Sequence, residues 1–114
     1  MIVNLYEETM IVLKEKGKSL NDIKFIKGDD FDITVDNFIE VAKKTDYDDG
    51  YGAAEVAVDL KIVGEDWFLQ RREYDGSEWW EYITIPTRTN KIVNIKNLAG
   101  DLWHTLKEIN EKDE

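Results

Sequence analysis

The period of apolar positions along this chain changes from helical to alternating and back. Ile2, Leu5, Tyr6, Thr9 and Leu13 share one face at helical spacing, with Met10 and Val12 at its borders, and predict a first helix over about 2–16. Gly17 stands where a glycine in the left-handed region would end it. Ser19 to Asp22 resembles a capping box, residues 24–27 a short strand and residues 28–30 a loop. Thr34 is suited to cap a second helix over about 35–44. Val35, Phe38, Ile39, Val41 and Ala42 line one side of it, and Asp36, Glu40, Lys43 and Lys44 the other.

Beyond the acidic, glycine-containing loop 46–52 the period falls to two. Val56, Val58, Leu60 and Ile62 alternate through a strand over about 54–63, and residues 64–66 turn the chain. Residues 67–74 and 78–85 read as two further strands around Asp75-Gly76, and Pro86 ends the sheet. Ile95, Leu98, Leu102, Leu106 and Ile109, with Trp103 at the edge, predict a last helix over about 97–111, in which Gly100 costs about 1 kcal/mol relative to alanine. The expectation is one α+β domain spanning 1–114. It has a three-stranded antiparallel meander at about 54–85, an extra short strand near 24–27, and three helices at about 2–16, 35–44 and 97–111.

Register decides what each face of the meander presents. A two-residue Asp-Gly turn would pair odd positions with even ones, whereas a three-residue loop with Gly76 left-handed keeps odd positions together. The odd register gathers Trp67, Leu69, Trp79, Ile83 and Ile85 with Val56, Val58, Leu60 and Ile62 into an aliphatic core face, and it is the register expected here. The opposite face then carries Phe68, Arg72, Tyr74, Trp80 and Tyr82, with Arg72 in cation–π reach of Trp80. Aromatic rings and arginine dominate many binding interfaces. Two readings of that face stay open, a contact surface or a second core layer beneath a helix. Either way, Trp79 and Trp80 point to opposite sides of a strand.

Charge adds a direction. Twenty-five acids against fifteen bases give −10, and residues 29–59 hold ten acids with only Lys43 and Lys44 to offset them. Such a field repels phosphate backbones, which disfavours direct nucleic-acid binding, and it attracts basic partners. The bland alternative is that the acids only keep the protein soluble. The absence of cysteine excludes disulfides, thiolate nucleophiles and cysteine metal sites, and fits a reducing compartment. No apolar run approaches the roughly 18 residues of a membrane span, and the first residues lack the basic start of a signal peptide. The expected location is the cytoplasm of a bacterial cell, away from membranes.

Candidate chemistry is sparse. Asp46 to Gly50 falls short of a calcium loop, since the sixth position is Tyr51 and the twelfth Ala57. His104 is the lone histidine and is expected to face solvent. Carboxylate pairs such as Glu73 with Glu78 lack a cleft to work across, and no glycine-rich phosphate loop is present. No catalytic residue, metal or cofactor is expected.

Tyr47-Asp48-Asp49-Gly50-Tyr51-Gly52-Ala53-Ala54-Glu55, followed by Glu73-Tyr74-Asp75-Gly76-Ser77-Glu78-Trp79-Trp80-Glu81-Tyr82 and Pro86, resembles a family of small proteins encoded by phages and prophages of Gram-positive bacteria. The resemblance covers roughly residues 20–86 and carries no reaction, cofactor or residue role. It implies a phage context, in which small acidic proteins often act by binding a host or defence protein. The leading expectation is therefore a non-enzymatic accessory protein that binds and inhibits a host or defence protein with a basic surface, with an anti-CRISPR-like nucleic-acid mimic as one version. Phe68, Arg72, Tyr74, Trp80 and Tyr82 would make the contact, and Asp48, Asp49 and Tyr51 of the acidic loop complete the expected binding set. One alternative is a small-molecule sponge for a nucleotide signal, with Arg71, Arg72 and Arg88 holding a phosphate among aromatic rings. An enzyme of unrecognised type is the third reading.

Overall fold

The computed structural model describes residues 1–50, 52–100 and 102–111. The element order is β1 (Ile2–Asn4), α1 (Leu5–Glu15), a 3-10 turn (Leu20–Asp22), β2 (Phe25–Lys27), β3 (Asp32–Ile33), α2 (Val35–Ala42), β4 (Asp46–Asp48), β5 (Lys61–Val63), β6 (Trp67–Tyr74), β7 (Ser77–Thr84) and α3 (Leu106–Glu111). Five strands form an antiparallel sheet in the order β3-β2-β5-β6-β7, and β1 pairs with β4 in a separate two-stranded ribbon. The fold is α+β, as the pattern predicts.

Local signals set most helix ends. Asn4 caps α1 by accepting from the Glu7 amide at 3.0 Å, so the helix begins at Leu5 rather than at residue 2. Ile2 and Val3 are β-branched and extend instead, pairing with Asp48 and Tyr47. Gly17, at φ +70°, ends the helix, and Lys18 donates back to the Leu13 carbonyl at 2.8 Å. Thr34 caps α2 through the Asn37 amide at 3.0 Å, close to the predicted span.

Leu5, Thr9 and Leu13 of α1 and Phe38 and Ala42 of α2 are buried against one face of the sheet. Along that face Ile33, Ile26, Ile62, Leu69 and Tyr82 stand in one row across all five strands. Gly64 fits beneath this layer because it lacks a side chain. A β-carbon there would overlap the indole of the buried Trp67. Gly64→Ala is expected to lower stability by about 1–3 kcal/mol through overpacking. A chemical-denaturation midpoint equal to wild type would show that Trp67 can yield.

Two predicted elements are much shorter than expected. Of the strand predicted over 54–63, only Lys61–Val63 forms. The Glu55 and Val56 amides donate to the Glu78 carboxylate at 2.7 and 3.3 Å instead of to a neighbouring strand. Val56 is buried by this tether, while Val58 is exposed. Of the helix predicted over 97–111, only Leu106–Glu111 forms. Thr105 and Glu108 cap its start reciprocally, at 3.2 and 3.0 Å, and Trp103 sits at φ +70°, which no helix accommodates. His104, expected in solvent on that helix, is half-buried.

Among the described residues none after Tyr82 joins the core cluster. The described residues from Pro86 to Thr105 form no helix or strand. The radius of gyration is 19.2 Å, well above the roughly 13 Å of a compact chain this long, and the longest extent is 61 Å.

Candidate functional site

The hairpin closes with two residues, not three. Tyr74 pairs with Ser77, and Asp75 and Gly76 both have positive φ, 50° and 87°. That is a type I′ turn, the geometry that best matches strand twist. Every even position of β6 therefore faces the same way as an odd position of β7. The expected odd register is corrected, and with it the composition of both faces.

On the helix-covered face, Trp67, Leu69, Arg71 and Glu73 join Thr84, Tyr82, Trp80 and Glu78. Trp80, expected at a contact surface, is only 4% exposed, and its indole N–H donates to the Thr9 hydroxyl at 2.9 Å. Tyr82, expected beside it, is half-buried, stacked on Trp67 at 5.7 Å between centroids and covered by the Lys16 ammonium. The cation over Trp80 is Arg71, at 4.7 Å, rather than Arg72.

Arg71 is the centre of a buried ionic cluster. Its side chain is 3% exposed and its Nη2 lies 3.0 Å from Glu78 Oε2, whose side chain is 2% exposed. Nη1 reaches Glu8 Oε1 at 3.4 Å, and Nη2 also donates to the Tyr47 hydroxyl at 3.0 Å. Tyr47 in turn donates to Glu8 at 2.7 Å. Burial, and then the bond to Glu8, push the Tyr47 phenol far above its ordinary range, so it stays a neutral donor. The cluster ties α1, β4, β6, β7 and the 55–56 tether together. Most of its groups bond one another inside the fold, and it holds these five segments together.

The acidic loop is likewise engaged. Asp48 accepts from the Gly50 amide and from the Met1 amino group, both at 3.1 Å, and these contacts hold its carboxyl below the usual range. Asp49 lies 3.7 Å from the same amino group, and Asp46 takes the Asn4 amide at 2.9 Å. Tyr51 lies outside the described residues. Among the described residues no three carboxylate or imidazole side chains converge as metal ligands.

The opposite face of the sheet bears no contact from the buried residues of α1 or α2. Register aligns Phe25, Val63, Phe68 and Ile83 across β2, β5, β6 and β7 as an unbroken apolar row. Beside it run Lys27, Lys61, Gln70 and Glu81, then Arg72 with Trp79, then Tyr74 with Ser77. Trp79, expected in the core, is 40% exposed here. Arg72 and Tyr74 are exposed and Phe68 is half-buried, so three of the five expected contact side chains do share an uncovered face. Arg72 Nε lies 3.7 Å from Glu81, which also accepts from Gln70 at 2.7 Å. Sequence reasoning missed Phe25, Val63, Trp79 and Ile83, although the Asp-Gly turn signal, followed strictly, would have found the last two.

The three arginines named for a phosphate site do not meet. Arg71 is spent in the ionic cluster, Arg72 lies on the uncovered sheet face, and Arg88 lines a shallow groove with Thr89, Asn90, Lys91 and Ile92. No helix among the described residues is long and apolar enough to cross a membrane. Comparison of the chain with protein-family models, with curated proteins and with solved structures returns no match.

Proposed function

We propose that this is a non-enzymatic accessory protein that binds and inhibits another protein through the uncovered sheet face. The observation that carries the reading is the two-residue turn, which sets Trp79 beside Arg72 on the same face as Phe68, Ile83 and Phe25, a surface that neither α1 nor α2 covers. A half-exposed tryptophan next to an arginine, on one face with an apolar row, has the composition of an interface centre. The net charge of −10 favours a basic partner and opposes a bare nucleic-acid strand. A host or defence protein with a basic groove fits that chemistry and the phage resemblance.

The test uses the tagged protein to capture a partner from bacterial lysate at low salt, followed by reconstitution with the purified partner. Trp79→Ser is expected to weaken the reconstituted complex by about 2 kcal/mol, roughly 30-fold in Kd. Added salt should slow association, because the attraction is screened. Unchanged affinity in a Trp79→Ser, Arg72→Ala double variant would remove the sheet face from the proposal. Failure to recover any partner at low salt would count against binding altogether.

A further inference from the structure

The stretch between the sheet and α3 differs from the rest of the chain in charge, shape and exposure. Residues 85–100 of it carry Arg88, Lys91 and Lys96 and no acid, whereas residues 1–84 carry twenty acids and ten bases. The described backbone here forms no helix or strand, and among the described residues the backbone groups of Ile92 to Ile95 make no hydrogen bond. Ile92 is 87% exposed, and Val93, Ile95 and Leu98 are exposed as well. A basic arm rich in β-branched residues thus projects from an acidic body without a surface to bury it.

The body offers a matching surface. In a two-residue hairpin the residues flanking the turn form a hydrogen-bonded pair, and such pairs recur at every second position. Tyr74–Ser77, Arg72–Trp79, Gln70–Glu81 and Phe68–Ile83 are then the bonded pairs, and the N–H groups of Glu78, Trp80, Tyr82 and Thr84 point away from β6. The Ile85 amide, which bonds the Asp66 carbonyl at 2.7 Å, continues the alternation. Glu78 spends its outward N–H on the Asp49 carbonyl at 3.0 Å. Among the described residues Tyr82 and Thr84 have no such neighbour, and neither is buried as Trp80 is, so β7 ends the sheet with an edge open at these two positions. An open sheet edge without a charge at its free donors is a ready template for a further strand.

We infer that the arm, through Lys91 to Ile95, adds as a strand to the outer edge of β7 in a second copy of this chain. Backbone pairing supplies the geometry, Ile92, Val93 and Ile95 the apolar burial, and Lys91 and Arg88 the attraction to the acidic body. Two copies exchanging arms make each contact twice, which closes the assembly. The arm does not fold back onto its own β7 edge, which leaves that edge to another molecule. This inference uses the sheet edge and the arm, and stands apart from the sheet-face reading.

The test is the mass of the full-length protein in solution as a function of concentration, by sedimentation or light scattering, together with amide hydrogen exchange. The expected result is a mass twice the 13.3 kDa of one chain, with Tyr82 and Thr84 amides protected in step with dimer formation. Ile92→Pro removes an arm donor, and Thr84→Pro removes an outward edge donor without touching a β6–β7 bond. Each is expected to raise the dimer Kd by more than about tenfold, since the exchange makes each bond twice and both are lost. Ile92 lies outside the core, so its variant reports on pairing even if Thr84→Pro misfolds. A monomer at all concentrations, a dimer untouched by Ile92→Pro, or concentration-independent protection of Tyr82 and Thr84 would each overturn the inference. So would a monomer that gains mass only when DNA is added, which would assign the basic arm to phosphates.

Discussion

Arg71→Met is expected to lower the stability of the folded protein by about 3–5 kcal/mol, the cost of breaking a buried ion pair from one side. The methionine fills much of the volume above Trp80, so the loss is electrostatic more than steric. Glu78 keeps the amides of Glu55 and Val56, but its carboxylate stays buried without a cation. Tyr47 and Glu8 lose the same partner. A drop in melting temperature of more than about 12 °C follows for a body of this size, read by calorimetry or circular dichroism. Adding Glu78→Gln to Arg71→Met should recover part of the loss, because the uncompensated charge goes with it. Arg71 Nε has no partner, so the cluster is not fully satisfied, and its net worth over an apolar replacement is small. A single variant that loses under about 1 kcal/mol would mean that water reaches Glu78 and solvates it.

The adjacent tryptophans give the second large effect. Trp80→Ala is expected to cost about 3–5 kcal/mol, since it opens a cavity beneath α1 and removes both the ring under Arg71 and the donor to Thr9. Trp79→Ala should cost under about 1 kcal/mol, because its ring lies on the uncovered face. Urea denaturation of the two variants side by side reads the hairpin register directly. Equal losses, or a larger loss at Trp79, would return the hairpin to the three-residue turn and remove the contact face proposed above.

That register is also where reasoning from residues alone goes astray, for a physical reason. Asp75-Gly76 is the strongest short signal for a two-residue turn. Against it, the two-residue register places Arg71 and Glu78 among Trp67, Leu69 and Trp80, which looks like a charged core. The odd register gathers aliphatic residues instead and is the better core by composition. What makes the charged face acceptable is Glu8 from α1, Tyr47 from β4 and the Glu55 and Val56 amides, which neutralise and cap the pair. Those partners are 22 to 63 residues away along the chain, and no local period reveals them. The same tether cancels the alternation of Val56, Val58 and Leu60, since a backbone that donates to a carboxylate is no longer free to donate to a strand.

By itself the sequence determined what depends on near neighbours: the α+β class, the span of α2 behind the Thr34 cap, the stop at Gly17, the two long strands β6 and β7, the acidic field and the lack of thiol chemistry. Capping, period and charge act within a few residues, so they are legible in order along the chain. Only the tertiary structure decided which face of the hairpin is buried, that Trp80 and Tyr82 are covered while Trp79 is not, and that residues 86–100 run out as an arm. Those outcomes turn on whether a distant group is present to satisfy a buried charge or cover an apolar side chain, and that is a property of the assembled fold.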